Sequence, residues 1–301
     1  MKYVPSRVYE FFYRLFRITV RRIIKYSSDP RPSSYPYVSG DGFRKLAKFV
    51  YDDVLKNVIP EEVKEGDIIF IGNSLMRRFA KDIHPKIKNK YVLITNNGDE
   101  PVDDITFSLL GDKVIKWYGI NVLIKNSKVV SMPLGIENKW MYYNGITLWF
   151  DLIRKRKNLP NKNKIFYGFT THTNLAERWP ALDVLEDNKY TETIIKWLSF
   201  KKYLELLVTY RFVASPPGSS VEGIRTWDAV YLGIVPIVKN SITMEYFKKI
   251  GLPIWVVDDW HELDTVNEEI LDKKFKEIRG NYNEEVLWMD YWIDKIKNLK
   301  D

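Results

Sequence analysis

Residues Arg211 to Lys239, RFVASPPGSSVEGIRTWDAVYLGIVPIVK, read as strand, loop, helix and second strand. Arg211–Ala214 is β-prone, and Pro216-Pro217-Gly218-Ser219-Ser220 is a turn expected to end in helix N-cap residues. Val221–Leu232 has helical periodicity, Gly233 stands where a C-terminal cap is needed, and Val235–Val238 is a second apolar strand. Such a unit builds a parallel sheet. Its small-residue loop opens a helix, presenting free N–H groups and a positive dipole end, which suits phosphate. Glu222, Arg225 and Asp228 recur at three-residue steps, so all three are expected to face one mouth of the sheet. There an arginine suits phosphate and a carboxylate suits ribose hydroxyls. A solvated helix face after an ordinary turn is the plainer alternative.

The same alternation runs through the rest of the chain. Asp67–Ile71, Tyr91–Thr95, Val114–Tyr118 and Val129–Met132 read as strands, with helices expected at 43–58 and 76–83. Lys157–Lys164, polar and rich in Pro and Asn, marks the best boundary. Beyond it come a strand at 165–169, a helix at 177–186, one or two helices at 193–207, a helix at 244–250 and a strand at 254–257. A two-piece helical stretch is expected at 274–299. The domain reading is 1–36 as a basic helix with linker, 37–156 and 157–280 as two α/β halves, and 281–301 as a C-terminal helix. In open parallel sheets ligands sit beyond the carboxyl ends of the strands. The informative loops are therefore 72–75, 96–101, 170–178, 215–220 and 258–261.

Charge narrows the partners. The net charge is +8, but residues 1–26 carry +6 of it, so the body is nearly neutral and no basic nucleic-acid face is expected. In that first segment Arg7, Arg14, Arg17, Arg21 and Lys25 oppose Val8, Phe11, Phe12, Leu15 and Ile23 on a helical wheel. It reads as an in-plane membrane anchor at residues 6–26, or as a helix docked on its own protein or a second subunit. The chain has no cysteine, which removes disulfides and thiolate chemistry and fits a cytoplasmic location. It shows neither a secretory signal nor a stretch of about 20 apolar residues.

Several motifs together resemble the exostosin-like glycosyltransferases. In the second half these are Pro217-Gly218, Arg225-Thr-Trp-Asp-Ala and Gly233-Ile-Val-Pro-Ile-Val. In the first half they are Tyr37-Val-Ser-Gly-Asp-Gly-Phe-Arg, Val92-Leu-Ile-Thr-Asn-Asn-Gly-Asp-Glu-Pro, Ile115-Lys-Trp-Tyr-Gly-Ile-Asn and Met132-Pro-Leu-Gly-Ile-Glu-Asn. The match covers about residues 37–260. It implies an α/β GT-B fold, two Rossmann-like domains facing across a cleft, and inverting transfer of a sugar from a nucleotide donor, a UDP-sugar by expectation, to a glycan hydroxyl. It also implies no cofactor beyond the donor as cosubstrate. The family's usual Glu is here Asp228, whose shorter side chain weakens the ribose assignment. Eukaryotic members are usually membrane-anchored, and no such anchor is expected from these residues.

Inverting transfer needs a base for the acceptor hydroxyl and positive groups for the departing diphosphate. Asp99, in a glycine turn after the strongest strand of the first half, is the first candidate base. Glu100 and Asp41 are its rivals and, with Asn97, the acceptor-side candidates. For the diphosphate the choice is Arg178 and Arg225, with backbone N–H groups around Pro217, Gly218 and Ser219. Asp228 is the ribose candidate and Glu222 a ribose or donor-sugar candidate. Tyr167 or a loop neighbour stacks on the base, and His172 touches phosphate or uracil. Arg77 and Arg78 are placed to meet an anionic acceptor or to stay solvated. No metal site is expected. Asp52-Asp53, Asp103-Asp104 and Asp258-Asp259 are adjacent pairs that point apart, and the three histidines lack zinc spacing. Two other readings stay open: a non-catalytic nucleotide- or carbohydrate-binding module, and a membrane scaffold working through the basic helix.

Overall fold

Strand β3 (Tyr91–Asn96) is buried along its whole length, as its unbroken apolar run requires of a central parallel strand. It sits at the middle of a five-stranded sheet in a computed structural model that describes residues 29–141, 144–155, 162–194 and 198–300. The other members are β1 (Phe49–Tyr51), β2 (Ile68–Gly72), β4 (Val114–Gly119) and β5 (Val129–Ser131). All neighbours are parallel, and the order β1-β2-β3-β4-β5 never reverses. The expected basic helix at 6–26 and residues 157–161 of the expected linker lie outside the described residues, whereas Lys162–Lys164 already belong to β6.

The second sheet comprises β6 (Lys162–Tyr167), β7 (Thr191–Thr193), β8 (Tyr210–Ala214), β9 (Val235–Lys239) and β10 (Trp255–Val257). Its strands are again parallel, in the order β10-β9-β8-β6-β7. The chain runs outward from β6 to β7, then returns to the other side of β6 at β8. The order therefore reverses between β6 and β8. The fold is two Rossmann-like parallel sheets whose carboxyl-end loops meet, the arrangement expected from the sequence.

Ten α-helices flank the sheets among the described residues: α1 (Gly40–Arg44), α2 (Met76–Asp82), α3 (Asp104–Leu110), α4 (Thr147–Arg154), α5 (Leu175–Glu186), α6 (Phe200–Leu207), α7 (Ile224–Tyr231), α8 (Ile242–Lys249), α9 (Glu268–Gly280) and α10 (Met289–Lys297). Gly233 (φ 79°) and Gly251 (φ 93°) end α7 and α8 in the left-handed conformation anticipated for C-terminal caps.

Two local readings are corrected. The helix expected at 43–58 is only α1; Phe49-Val50-Tyr51 instead pairs with Ile69-Phe70-Ile71, where its β-branched and aromatic side chains pack. Asp52 then accepts the Val54 and Leu55 N–H groups and turns the chain. The stretch at 193–207 expected to contain one or two helices contains one among the described residues, α6 (Phe200–Leu207), and Thr193 itself ends β7. The Pro/Ser-rich linker expected at 27–40 is largely packed: Arg31, Ser34, Tyr37, Val38 and Ser39 are buried.

One hydrophobic core runs beneath both sheets. Tyr37, Phe43, Phe70, Ile94 and Tyr118 of the first half share it with Phe166, Val213, Trp227, Tyr231 and Trp292. Helix α10 belongs to that seam. Met289 donates its N–H to the Pro36 carbonyl at 3.0 Å, and Tyr118 Oη donates to the Lys295 carbonyl at 3.1 Å. Separate cores lie on the outer face of each sheet.

Candidate functional site

The reversal between β6 and β8 opens a crevice at their carboxyl ends, the usual ligand position in open α/β sheets. Two loops line it: 168–174 after β6 and 215–223 after β8. Arg178 stands on α5, which follows the first loop, yet its Nε donates to the Pro217 carbonyl of the second at 2.9 Å. Its Nη1 also donates to the Thr170 carbonyl at 2.8 Å. Arg225 stands on α7, which follows the second loop, yet its Nη2 donates to the Gly168 carbonyl of the first at 2.6 Å. Asn174 adds a bond to the Gly218 carbonyl at 2.9 Å while capping α5. The two loops are thus cross-braced by the guanidiniums expected to bind phosphate.

The brace is electrostatically unusual. Among the described residues neither arginine has a carboxylate oxygen within ion-pair distance. Burial, with Arg225 nearby, pushes Arg178 below the usual guanidinium range. Arg225 Nε is buried with no hydrogen-bond partner, and so is Asp228 Oδ1, one turn further along α7. Burial pushes the Asp228 carboxyl up to about 8, with Arg225 pulling the other way. Unfilled donors and acceptors of this kind are costly unless a ligand or water completes them.

Not every expected contact of this half survives. Helix α7 begins at Ile224 with Gly223 as its extended cap and no capping side chain, so Ser219 and Ser220 do not cap it and Glu222 precedes the helix. The Glu222 side chain leaves the mouth. It accepts from Trp227 Nε1 at 2.9 Å and from the Leu134 backbone N–H of the first half. Both oxygens are engaged and buried, and burial raises the carboxyl to about 8. Glu222 is a strut between the halves, which corrects the expectation that it faces the donor. Tyr167 is buried in the outer core of the second sheet. Its neighbour Phe169, in the loop and half-buried with Arg178 5.9 Å from its ring, is the aromatic at the crevice. His172 is exposed on the Thr171–Thr173 turn of the same loop; Pro217 and Gly218 are half-buried and Ser219 is exposed.

On the facing edge, Asp99 is exposed after β3 and accepts a hydrogen bond from Ser220 Oγ at 3.3 Å. Glu100 meets Arg77 at 3.6 Å, and Arg78 pairs with Asp82 at 3.4 Å. Asp41 is buried beneath Asn97. Its Oδ1 accepts from Asn97 Nδ2 at 3.0 Å and from Arg31 at 3.5 Å, and its backbone N–H donates to Asn138 Oδ1 at 2.8 Å. Asn138 in turn donates to Asn97 Oδ1 at 2.8 Å. Asp41 Oδ2 is buried without a partner, and burial raises the carboxyl to about 6 despite Arg31. Asp41, Asn97, Asp99 and Glu100 therefore gather at one edge, across from Arg178, Arg225 and Asp228.

The sequence reading gave no role to Asn121, Asn138 or Asn174. Each lies in a segment that follows a strand, and their shared signal was position rather than charge. No cluster of three or more metal-ligating side chains occurs among the described residues, and none of the described helices is long and apolar enough to cross a membrane.

The chain is an α/β protein of two parallel sheets with a switch-point crevice in the second. No protein-family model matches it, and no curated protein does. Among solved structures it resembles the Methanocaldococcus jannaschii UDP-GlcNAc 2-epimerase solved with UDP-GlcNAc and UDP, at 11% identity and a TM-score of 0.32, over 73% of this chain and 70% of that one.

Proposed function

We propose that this chain is an inverting glycosyltransferase that uses a nucleotide-sugar, with UDP as the nucleotide, and a glycan hydroxyl as acceptor. The observation that carries the reading is the pair of guanidiniums that cross-brace the two loops of the β6–β8 crevice, with Asp228 one turn beyond Arg225. Two half-buried, fork-shaped cations at a switch point suit a diphosphate. Asp228 Oδ1 is the acceptor for a ribose hydroxyl, and Phe169 offers a face to the base. Asp99 is the base, and Asp41, Asn97 and Glu100 border the acceptor.

In the step itself, the acceptor hydroxyl gives its proton to the Asp99 carboxylate as its oxygen bonds to the anomeric carbon from the face opposite the diphosphate. The bond from that carbon to the diphosphate oxygen breaks, and its electron pair leaves with UDP. Arg178 and Arg225 meet the charge that develops there. This reading requires no divalent metal, so treatment with EDTA leaves the rate unchanged.

The test is a thermal-shift screen against UDP-, GDP-, dTDP- and CMP-sugars without metal, with Arg225→Ala beside the wild type. A ligand that binds only the folded state raises the midpoint. A shift with one nucleotide class, lost in Arg225→Ala, supports the donor site. No shift with any donor sinks the reading. Binding without sugar transfer or UDP release leaves a nucleotide-binding module in its place.

A further inference from the structure

Asn121 follows β4, where the backbone turns with φ of 55°. Asparagine is among the few residues that enter this left-handed region at modest cost. Its carbonyl accepts the Val102 N–H at 2.9 Å, and the residue is only 3% exposed. From this fixed point the side chain reaches two loops. Nδ2 donates to the Asp99 carbonyl at 3.1 Å and to Ser220 Oγ at 3.1 Å, while Oδ1 accepts the Val221 N–H at 3.1 Å. Ser220 Oγ then donates to Asp99 Oδ1. One buried amide thus ties the loop that carries the base to the loop that follows β8, across the two halves.

We propose that Asn121 is a positioning residue that fixes Asp99 relative to the anomeric carbon of the bound donor, acting through the Asp99 carbonyl and Ser220. The role rests on the transferase reading above. Asn121 divides its side-chain bonds between the two loops whose relative placement the reaction depends on. A base misplaced by about 1 Å costs on the order of 100-fold in rate.

The test uses Asn121→Gly, which tolerates the same φ, and Asn121→Asp, which keeps an acceptor for Val221 but loses both donations. UDP affinity is measured by calorimetry. Turnover is measured as UDP released from UDP-glucose and UDP-N-acetylglucosamine. Both variants are expected to hold UDP affinity and donor KM within about threefold while kcat falls roughly 30- to 100-fold. Ser220→Ala, at a half-buried position outside the sheets, gives a smaller kcat loss. Combined with Asn121→Gly it loses less than the product of the two, because both act on Asp99. Unchanged kcat, a rise in KM alone, or fully multiplicative losses would overturn the role. A wild type that binds no UDP, or binds without turnover, would instead remove the transferase reading, and this role with it.

Discussion

Arg178 and Arg225 each brace the loop that precedes the other's helix: Arg178 holds the Pro217 carbonyl, and Arg225 holds the Gly168 carbonyl. Each loop is thus held in part by a side chain contributed by its neighbour. The crevice between β6 and β8 therefore has both its walls and its positive charge set by the same two residues.

Gly218 lies under this brace. A Cβ there would stand 2.7 Å from Arg178 Nη2 and push the guanidinium aside. Arg225→Ala is expected to weaken UDP binding about 10- to 100-fold, the range for a lost charge-assisted hydrogen bond. Arg225→Lys recovers little, because an ammonium cannot fork. Gly218→Ala falls between wild type and Arg178→Ala. Calorimetric titration with UDP ranks the four; equal affinity throughout would place the diphosphate elsewhere.

Asp99→Asn keeps the size of the side chain and its bond to Ser220 but removes proton-accepting power. Sugar transfer should fall about 100- to 10,000-fold, with UDP affinity unchanged. A variant that keeps its rate would hand the base role to Asp41 or Glu100, which the matching amide substitutions then separate.

Glu222 and Asp228 give the fold a defined pH response. Both carboxyls lie near 8 when folded, above their ordinary values of 4.5 and 3.8. The folded protein therefore holds these protons more tightly than the unfolded chain. Their contribution is complete below about pH 4 and is lost as pH rises towards 8. Urea unfolding from pH 5 to pH 8 should show falling stability, and Glu222→Gln should flatten the slope. That variant also costs about 1–3 kcal/mol, because its NH2 meets the N–H of Trp227 or Leu134 where a carboxyl oxygen accepted. A slope unchanged in Glu222→Gln and Asp228→Asn alike would place the titration elsewhere.

Gly135 passes beneath the chain at Val38 and Ser39 with φ of 77°. An added Cβ would come within 2.6 Å of the Val38 carbonyl carbon. Gly135→Ala carries both backbone strain and a backbone clash, and should cost about 2–4 kcal/mol in denaturant unfolding. Gly66, at φ 80° with open space around it, gives a milder control, costing strain alone.

The strand–loop–helix–strand unit at 211–239 was legible because it is local. Apolar strands, a Pro-Gly turn and a glycine cap each announce themselves within a few residues. The direction of Glu222 was not legible. Three-residue spacing suggested a shared face, but the helix starts two residues later, and the Leu134 N–H of the other half draws the carboxylate away. Phe49–Tyr51 failed for a similar reason: its strand exists only because β2 lies beside it. Asn121 carried no charge, and its importance lies in partners 22 and 99 residues distant along the chain. Local structure written in residue type was readable, whereas contacts made where distant loops meet needed the fold.

A continuous core under both sheets also limits how a substrate gets in. Two lobes joined only by a flexible link can swing apart like jaws. Here such a swing would pull Tyr37, Phe43 and Tyr118 away from Tyr231 and Trp292 and wet the centre of the molecule. Entry and exit must therefore be managed by loops on a stiff frame. Small rearrangements near Ser220 and Phe169, and not a change in the angle between lobes, would then set the pace of product release.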